Sequence, residues 1–231
     1  MFQDCDIKLD RARAHIDELA RWITEHHATH PAVVDARYDD NGSLAHLGVS
    51  TKALPRSVSA LIGDAVHNLR TSLDILAVQL VNSVHPGTRG VHFPFAQNAD
   101  QLDEMIVSKR FDRAGADEVA LLRQWQPFTG GNTDLRGLHD LDLRDKHNAI
   151  IPVAAMVATP EVTADTTDFN MGIVRIKLVE GSKPKIAEVF PEDTPFPGAE
   201  VVGTLRRLHE MATAIVADFR AIRDTPVLLE V

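Results

Sequence analysis

The sequence contains little cysteine, little positive charge and no long hydrophobic run. Cys5 is the only cysteine among 231 residues, so an intrachain disulfide is excluded. The longest apolar run, residues 149–158, is broken by Pro152 and is shorter than the roughly 20 residues that span a membrane. The 24 Lys and Arg residues against 33 Asp and Glu residues leave a net charge of −9, which disfavours a nucleic-acid backbone as a partner. Acidic residues stand where a secretory signal would carry basic ones, so the sequence predicts a cytoplasmic protein without membrane contact.

Apolar residues recur at spacings of three and four, which predicts amphipathic helices. The four main helices are expected at residues 3–28, 57–82, 135–150 and 200–223, with a short helix at 118–125. Between the second helix and the short one, Phe93-Pro94-Phe95 is expected to plug the core. His26, His27 and His30 cluster at the end of the first helix, where we expect them to be solvated.

Alternating apolar and polar residues predict β-structure in two parts of the chain. Residues 33–49 are expected to form a hairpin around Asn41-Gly42, a strong turn signal. Later strands are expected at 151–159, 174–178 and 185–190, the last two paired around Gly181-Ser182. The polar segment 160–169 is not assigned to a strand. We therefore expect a single α+β domain, residues 1–231, in which a mainly helical bundle packs with an antiparallel sheet from the early hairpin and the strands after residue 150.

The second helix carries ionisable residues beside its apolar stripe. At about 100° per residue, His67, Arg70 and Asp74 fall on one flank of that stripe, where they stack on adjacent turns. Gly63 lies between them and leaves the flank open to the close approach of another group. The spacing does not determine whether this flank is exposed or buried.

The third main helix carries ionisable residues within its apolar side. Asp142 and Asp145 fall on the face that is expected to meet the core, and His139 lies at the edge of that face. A buried carboxylate is costly unless it is paired. We therefore expect Arg70 and His67 of the second helix to be the partners of these two carboxylates.

These two segments allow three interpretations. The first is a structural ion network that fixes the register of the helices. The second is a chemical site between the helices, and the third is an interface for a partner protein. An acid–base or anion-binding site would use His67, Arg70, Asp74, Asp142, Asp145 and His147, with Lys146 as a further anion ligand. A site for zinc, manganese or iron would use His67, Asp74, His139 and Asp142.

The two segments resemble those of a family of uncharacterised bacterial proteins. The likeness rests on Gly63-Asp64-Ala65-Val66-His67-Asn68-Leu69-Arg70 followed by Leu73-Asp74, on Phe93-Pro94-Phe95, and on Leu141-Asp142 to Asp145-Lys146-His147. It covers residues 55–150 and implies a kinship of fold without an activity. A looser likeness to the HEPN helical ribonucleases, which use an Arg and a His on one helix at a dimer interface, rests on Arg144 and His147. Their spacing of three departs from the HEPN pattern.

The sequence therefore predicts a His/Arg/Asp network that is mainly structural and that binds a ligand or an anion. The alternative is a metal-dependent or acid–base hydrolase, including a HEPN-like RNase, in which a His acts as base, an Asp orients it or holds a metal, and Arg70 neutralises an anionic substrate. A divalent metal is the one cofactor considered. The partners left open are a second copy of the chain and a small molecule of unidentified class.

Overall fold

The computed structural model describes residues 2–40, 44–148, 153–158, 160–168 and 173–224, with the backbone alone for residues 147, 148, 157, 164–168 and 173–176. Within these ranges the chain has the predicted α+β class. The helices are α1 (Gln3–Thr29), α2 (Arg56–Val84), α3 (Leu102–Ser108), α4 (Ala116–Trp125), α5 (Thr133–Asn148) and α6 (Val201–Asp224). The strands are β1 (Val33–Tyr38), β2 (Leu44–Ser50), β3 (Ala154–Ala158), β4 (Val162–Asp168), β5 (Ile173–Leu178) and β6 (Lys185–Val189).

Helix α2 lies at the centre of the core and packs against α1, α5 and α6. Its apolar stripe is fully buried at Ile62, Leu69, Leu73, Leu76 and Leu80. The long helices α1, α2, α5 and α6 correspond to the four predicted from the sequence, because each buries one regularly spaced apolar face. No helix in the described part of the chain is long and apolar enough to cross a membrane.

The strands pair differently from the expectation. Over the described residues they form three two-stranded antiparallel sheets, β1 with β2, β3 with β6 and β4 with β5, instead of one sheet. The hairpin of β1 and β2 is confirmed. The predicted pairing of residues 174–178 with residues 185–190 is wrong, because the polar segment 160–169 contains β4 and takes that place beside β5. Alternation identifies a strand, but it does not specify the partner of that strand.

The connector between α2 and α4 holds the predicted aromatic plug and one helix that the sequence does not predict, α3. Phe93 is 1% exposed and Phe95 is 7% exposed. The ring of Phe93 packs against the rings of Phe95 and Phe111, at 5.4 and 6.2 Å between centroids. This cluster fixes the path of the connector across the middle of α2 and α5, where it contacts Asp74 and His139.

The histidines at the end of α1 are not all solvated, contrary to the expectation. His26 is buried, and its Nε2 lies 3.0 Å from the carbonyl oxygen of Lys52. The Nε2 atom of His27 lies 3.2 Å from Oε1 of the buried Glu188 in β6. These side chains attach two of the small sheets to the end of α1.

Candidate functional site

A cleft of about 350 Å³ lies between α2, α5 and the connector. Its walls are Arg70 and Asp74 from α2, His92, Phe93, Phe95, Met105 and Lys109 from the connector, and His139, Asp142, Leu143 and Lys146 from α5. The two polar segments that the sequence singles out therefore contribute to one cavity, together with the aromatic plug.

One side-chain hydrogen bond caps the start of α5, and a second joins α5 to the connector. The side chain of Asn132 accepts a hydrogen bond from the backbone N–H of Leu135 at 3.0 Å and so caps the start of α5. Arg136 donates to the carbonyl oxygen of Ala96 at 2.8 Å while its guanidinium pairs with Asp140 on the next turn. The contact of Arg136 with Ala96 therefore joins α5 to the connector directly after the Phe93–Phe95 segment.

Arg70 is buried, but its partner differs from the predicted one. Its Nη1 atom lies 2.8 Å from Oδ2 of Asp74, one turn further along α2. The other oxygen of Asp74 accepts a hydrogen bond from the backbone N–H of Phe93 at 2.9 Å. A carboxylate four residues away on the same helix is already in reach when the helix forms, which explains why Arg70 pairs with Asp74 instead of Asp142 or Asp145.

His139 lies between Arg70 and the aromatic plug. Its ring stacks on Phe95 with 4.3 Å between centroids and 6° between planes, and Arg70 lies 4.6 Å from the centre of the same Phe95 ring. Arg70 Nε donates to Nδ1 of His139 at 3.4 Å. Burial, followed by the positive charges of Arg70 and Arg136, lowers the pKa of His139 to about 4. The imidazole is therefore neutral at pH 7, with Nδ1 as an acceptor and the proton on Nε2.

Asp142 is only 3% exposed, as its position on the apolar face predicts. Its two oxygens have separate partners. Oδ2 accepts a hydrogen bond from Lys146 Nζ at 2.6 Å, and Oδ1 lies 3.3 Å from Nδ1 of His67. The expected partner His67 is thus confirmed, and Lys146 takes the position expected for Arg70.

Asp145 uses the opening that Gly63 leaves in α2. An ideal Cβ on Gly63 would lie 2.6 Å from Oδ1 of Asp145 and 2.9 Å from its Cγ, so the carboxylate rests directly on the glycine. Burial, followed by the negative charges of Asp142 and Asp64, raises the pKa of Asp145. The group that approaches Gly63 is therefore a side chain of α5.

His67 lies at the outer edge of this arrangement. Its side chain is 50% exposed, and its Nε2 lies 3.4 Å from Oγ1 of Thr71. The side chain of His147 lies outside the described residues. Arg144, its partner in the looser ribonuclease likeness, pairs with Asp193 at 2.5 Å.

The predicted metal ligands do not converge. Arg70 contacts both Asp74 and His139, and Lys146 contacts Asp142. A positively charged side chain of the protein therefore already lies against three of the four predicted metal ligands. Among the described residues no group of three or more His, Cys, Asp and Glu side chains is arranged to hold a metal ion.

Two ionisable residues of the cleft, His92 and Lys109, were not predicted from the sequence. Lys109 follows α3, and its carbonyl oxygen accepts a hydrogen bond from the backbone N–H of His92 at 3.3 Å, which brings both side chains to the cleft. Neither lies in a periodic segment, so spacing gives no signal for them. The position of Lys109 depends on the path of the connector around the buried Phe93.

Comparison with known proteins does not identify the chain, since no family model, no curated protein and no solved structure matches it. The groups that line the cleft therefore indicate what the cleft can bind. The cleft presents cationic and neutral donor groups next to an aromatic ring, a combination that suits recognition of a small anion.

Proposed function

We propose that the cleft binds a small oxyanion, a carboxylate or a phosphate, and that the His/Arg/Asp network around it mainly fixes α2 and α5. The observation that carries this proposal is a local surplus of positive charge. Arg70, Lys109 and Lys146 line the cleft against two carboxylates, Asp74 and Asp142. The whole chain, in contrast, has a net charge of −9. A positive cleft in an acidic protein attracts anions selectively to that position.

The donors of the cleft have capacity for a ligand. Lys109 is partly buried and its ammonium has no carboxylate partner among the residues that the structure describes. Arg70 makes two of its hydrogen bonds at 3.4 and 3.5 Å, longer than the usual 2.9–3.0 Å. A ligand oxygen that offered shorter bonds would compete well for these N–H groups.

The carboxylates of the network have a positioning role in this proposal. Asp74 holds Arg70, and Asp142 holds Lys146, each by a contact of less than 3 Å within its own helix. Because the cations are held before the ligand arrives, less side-chain entropy is lost on binding. The ion network and the anion site are thus parts of one arrangement.

Titration of the protein with inorganic phosphate and with acetate, followed by calorimetry, tests the proposal. We expect saturable binding that weakens about tenfold or more in Lys109→Met, because a charge-assisted hydrogen bond contributes about 1.5–3 kcal/mol. The matched control is Lys183→Met in the exposed turn after β5, which removes the same charge far from the cleft. Absence of binding to the wild type, or equal weakening in the control, would overturn the proposal.

A second function, acid–base hydrolysis, has one specific observation in its favour. The buried carboxylate of Asp142 contacts Nδ1 of His67, and the His67 side chain as a whole is 50% exposed. A carboxylate that orients a histidine in this way is typical of general-base sites. In this candidate, Asp142 positions His67, and His67 takes the proton from an attacking water.

Hydrolysis of an aryl ester, an aryl phosphate and an RNA oligonucleotide tests this second function. We expect activity on at least one substrate, and this activity should fall about 100-fold or more in His67→Asn. The control is His85→Asn, in the exposed segment after α2, which is expected to keep the activity of the wild type. Equal activity of the wild type and His67→Asn on every substrate would reject the dyad as a catalytic group.

A further inference from the structure

A second cavity of about 420 Å³ adjoins the cleft. The two cavities share Asp74 and His92 as wall residues. The remaining walls of the second cavity are Ile75, Val78 and Val91 together with Asp4 and Gln79. Neither the sequence pattern nor the proposed anion site uses this cavity.

The surface that the second cavity offers to a ligand is apolar. Its polar groups contact one another, since Gln79 Nε2 donates to Asp4 Oδ2 at 3.1 Å and Gln79 Oε1 lies 3.5 Å from the thiol of Cys5. Ile75 and Val78 lie three residues apart on α2, and both are partly exposed. An apolar group that covered them would remove this surface from water, which is favourable.

The wall between the two cavities contains one loosely held side chain. Asp74 is fixed by Arg70 and by the N–H of Phe93. The imidazole of His92, in contrast, is 56% exposed and lies 3.7 Å from Asp74, beyond hydrogen-bonding distance. The ring of His92 is therefore held less firmly than the carboxylate of Asp74, and it is the side chain of this wall that a ligand would displace first.

Building on the anion site proposed above, we infer that its natural ligand is an amphipathic anion with one charged head, an alkyl chain that ends in a carboxylate or a phosphate. The head lies among Arg70, Lys109 and Lys146, and the chain passes His92 to cover Ile75 and Val78. Asp4 in the second cavity repels a second anionic end, so a dicarboxylate is disfavoured.

Calorimetric titration of the full chain with acetate, butyrate, hexanoate, octanoate and octyl phosphate tests the inference. Within the carboxylate series, we expect the affinity to rise by up to about fourfold for each methylene that enters the second cavity. For the same reason, octyl phosphate is expected to bind more tightly than inorganic phosphate. If octanoate binds more tightly than octyl phosphate, the site prefers a carboxylate head, and the reverse order identifies a phosphate head. Octanol, which has the same chain without the charge, is expected to bind at least tenfold more weakly than octanoate.

Variants separate the chain from the head. Val78→Asn is expected to abolish the gain with chain length while it leaves acetate binding unchanged. Val84→Asn, an exposed position on the same helix outside both cavities, is expected to keep the gain. If acetate binds and longer chains bind no tighter, this inference is wrong and the anion site stands. If no anion binds, the proposed function itself is wrong, and if octanol binds as tightly as octanoate, the head-group contacts are not used.

Discussion

At the scale of single residues, the protonation of His139 depends on three neighbours. The ring is stacked on Phe95 and touches Arg70, and Arg136 lies one turn before it on α5. Burial and the two positive charges disfavour the imidazolium. The pKa of His139 is thereby lowered to about 4 in the folded protein, below its ordinary value of 6.5.

Acidification should destabilise the protein through His139. The unfolded chain takes up this proton near pH 6.5 and the folded chain near pH 4. Between these values the unfolded state binds more protons, so the free energy of unfolding falls as the pH is lowered. We expect the wild type to lose about 2–3 kcal/mol relative to His139→Phe over this window. Urea denaturation at several pH values measures the difference, and parallel profiles for the two proteins would contradict the assignment.

At the scale of elements, α2 and α5 are in direct contact where Asp145 rests on Gly63. A glycine inside a helix ordinarily costs about 1 kcal/mol relative to alanine. Here the glycine leaves room for the carboxylate, because an added Cβ would lie 2.6 Å from Oδ1 of Asp145. The helix propensity of α2 is thus lowered at the position where α5 approaches.

A double-mutant cycle tests this contact. We expect Gly63→Ala to be neutral or destabilising in the wild type, since Asp145 must move. In an Asp145→Ala background the same change should stabilise the protein by about 1 kcal/mol, because the obstacle is gone and the helix propensity remains. Chemical denaturation of the four proteins measures the coupling. Equal effects of Gly63→Ala in both backgrounds would show that the contact does not constrain the helices.

The sequence predicts the long helices well because each carries its own periodic apolar stripe. It also predicts that Asp142 is buried and that His67 contacts it, since helical phase alone places Asp142 on the core face. It fails for Arg70, because Asp74 on the same helix competes with the carboxylates of α5. It also fails for the pairing of β5 and for Lys109, which depend on how distant or aperiodic segments come together.

At the scale of the whole molecule, the helical core and two of the small sheets, β1–β2 and β3–β6, are joined at the end of α1. His26 contacts the carbonyl of Lys52 just after β2, and His27 contacts Glu188 in β6. Glu188 is only 4% exposed, and its other close charged neighbour is His26. A buried carboxylate that lies beside two histidines makes this junction sensitive to protonation.

The junction should weaken as the pH rises. Burial raises the pKa of Glu188 above its ordinary 4.5, against the opposing effects of His27 and His26. The folded state therefore holds this proton at higher pH than the unfolded state does, so the contribution of Glu188 to stability is present below pH 4.5 and decreases as the pH rises through the raised pKa. We expect the free energy of unfolding of the wild type to fall relative to that of Glu188→Gln between pH 4 and pH 7, because the amide cannot ionise.

Guanidinium denaturation across this range measures the difference. Glu192→Gln, which changes an exposed glutamate shortly after β6, serves as the control. A difference that stays constant with pH would show that Glu188 ionises in the fold as easily as in water, and that the neighbouring histidines compensate its burial.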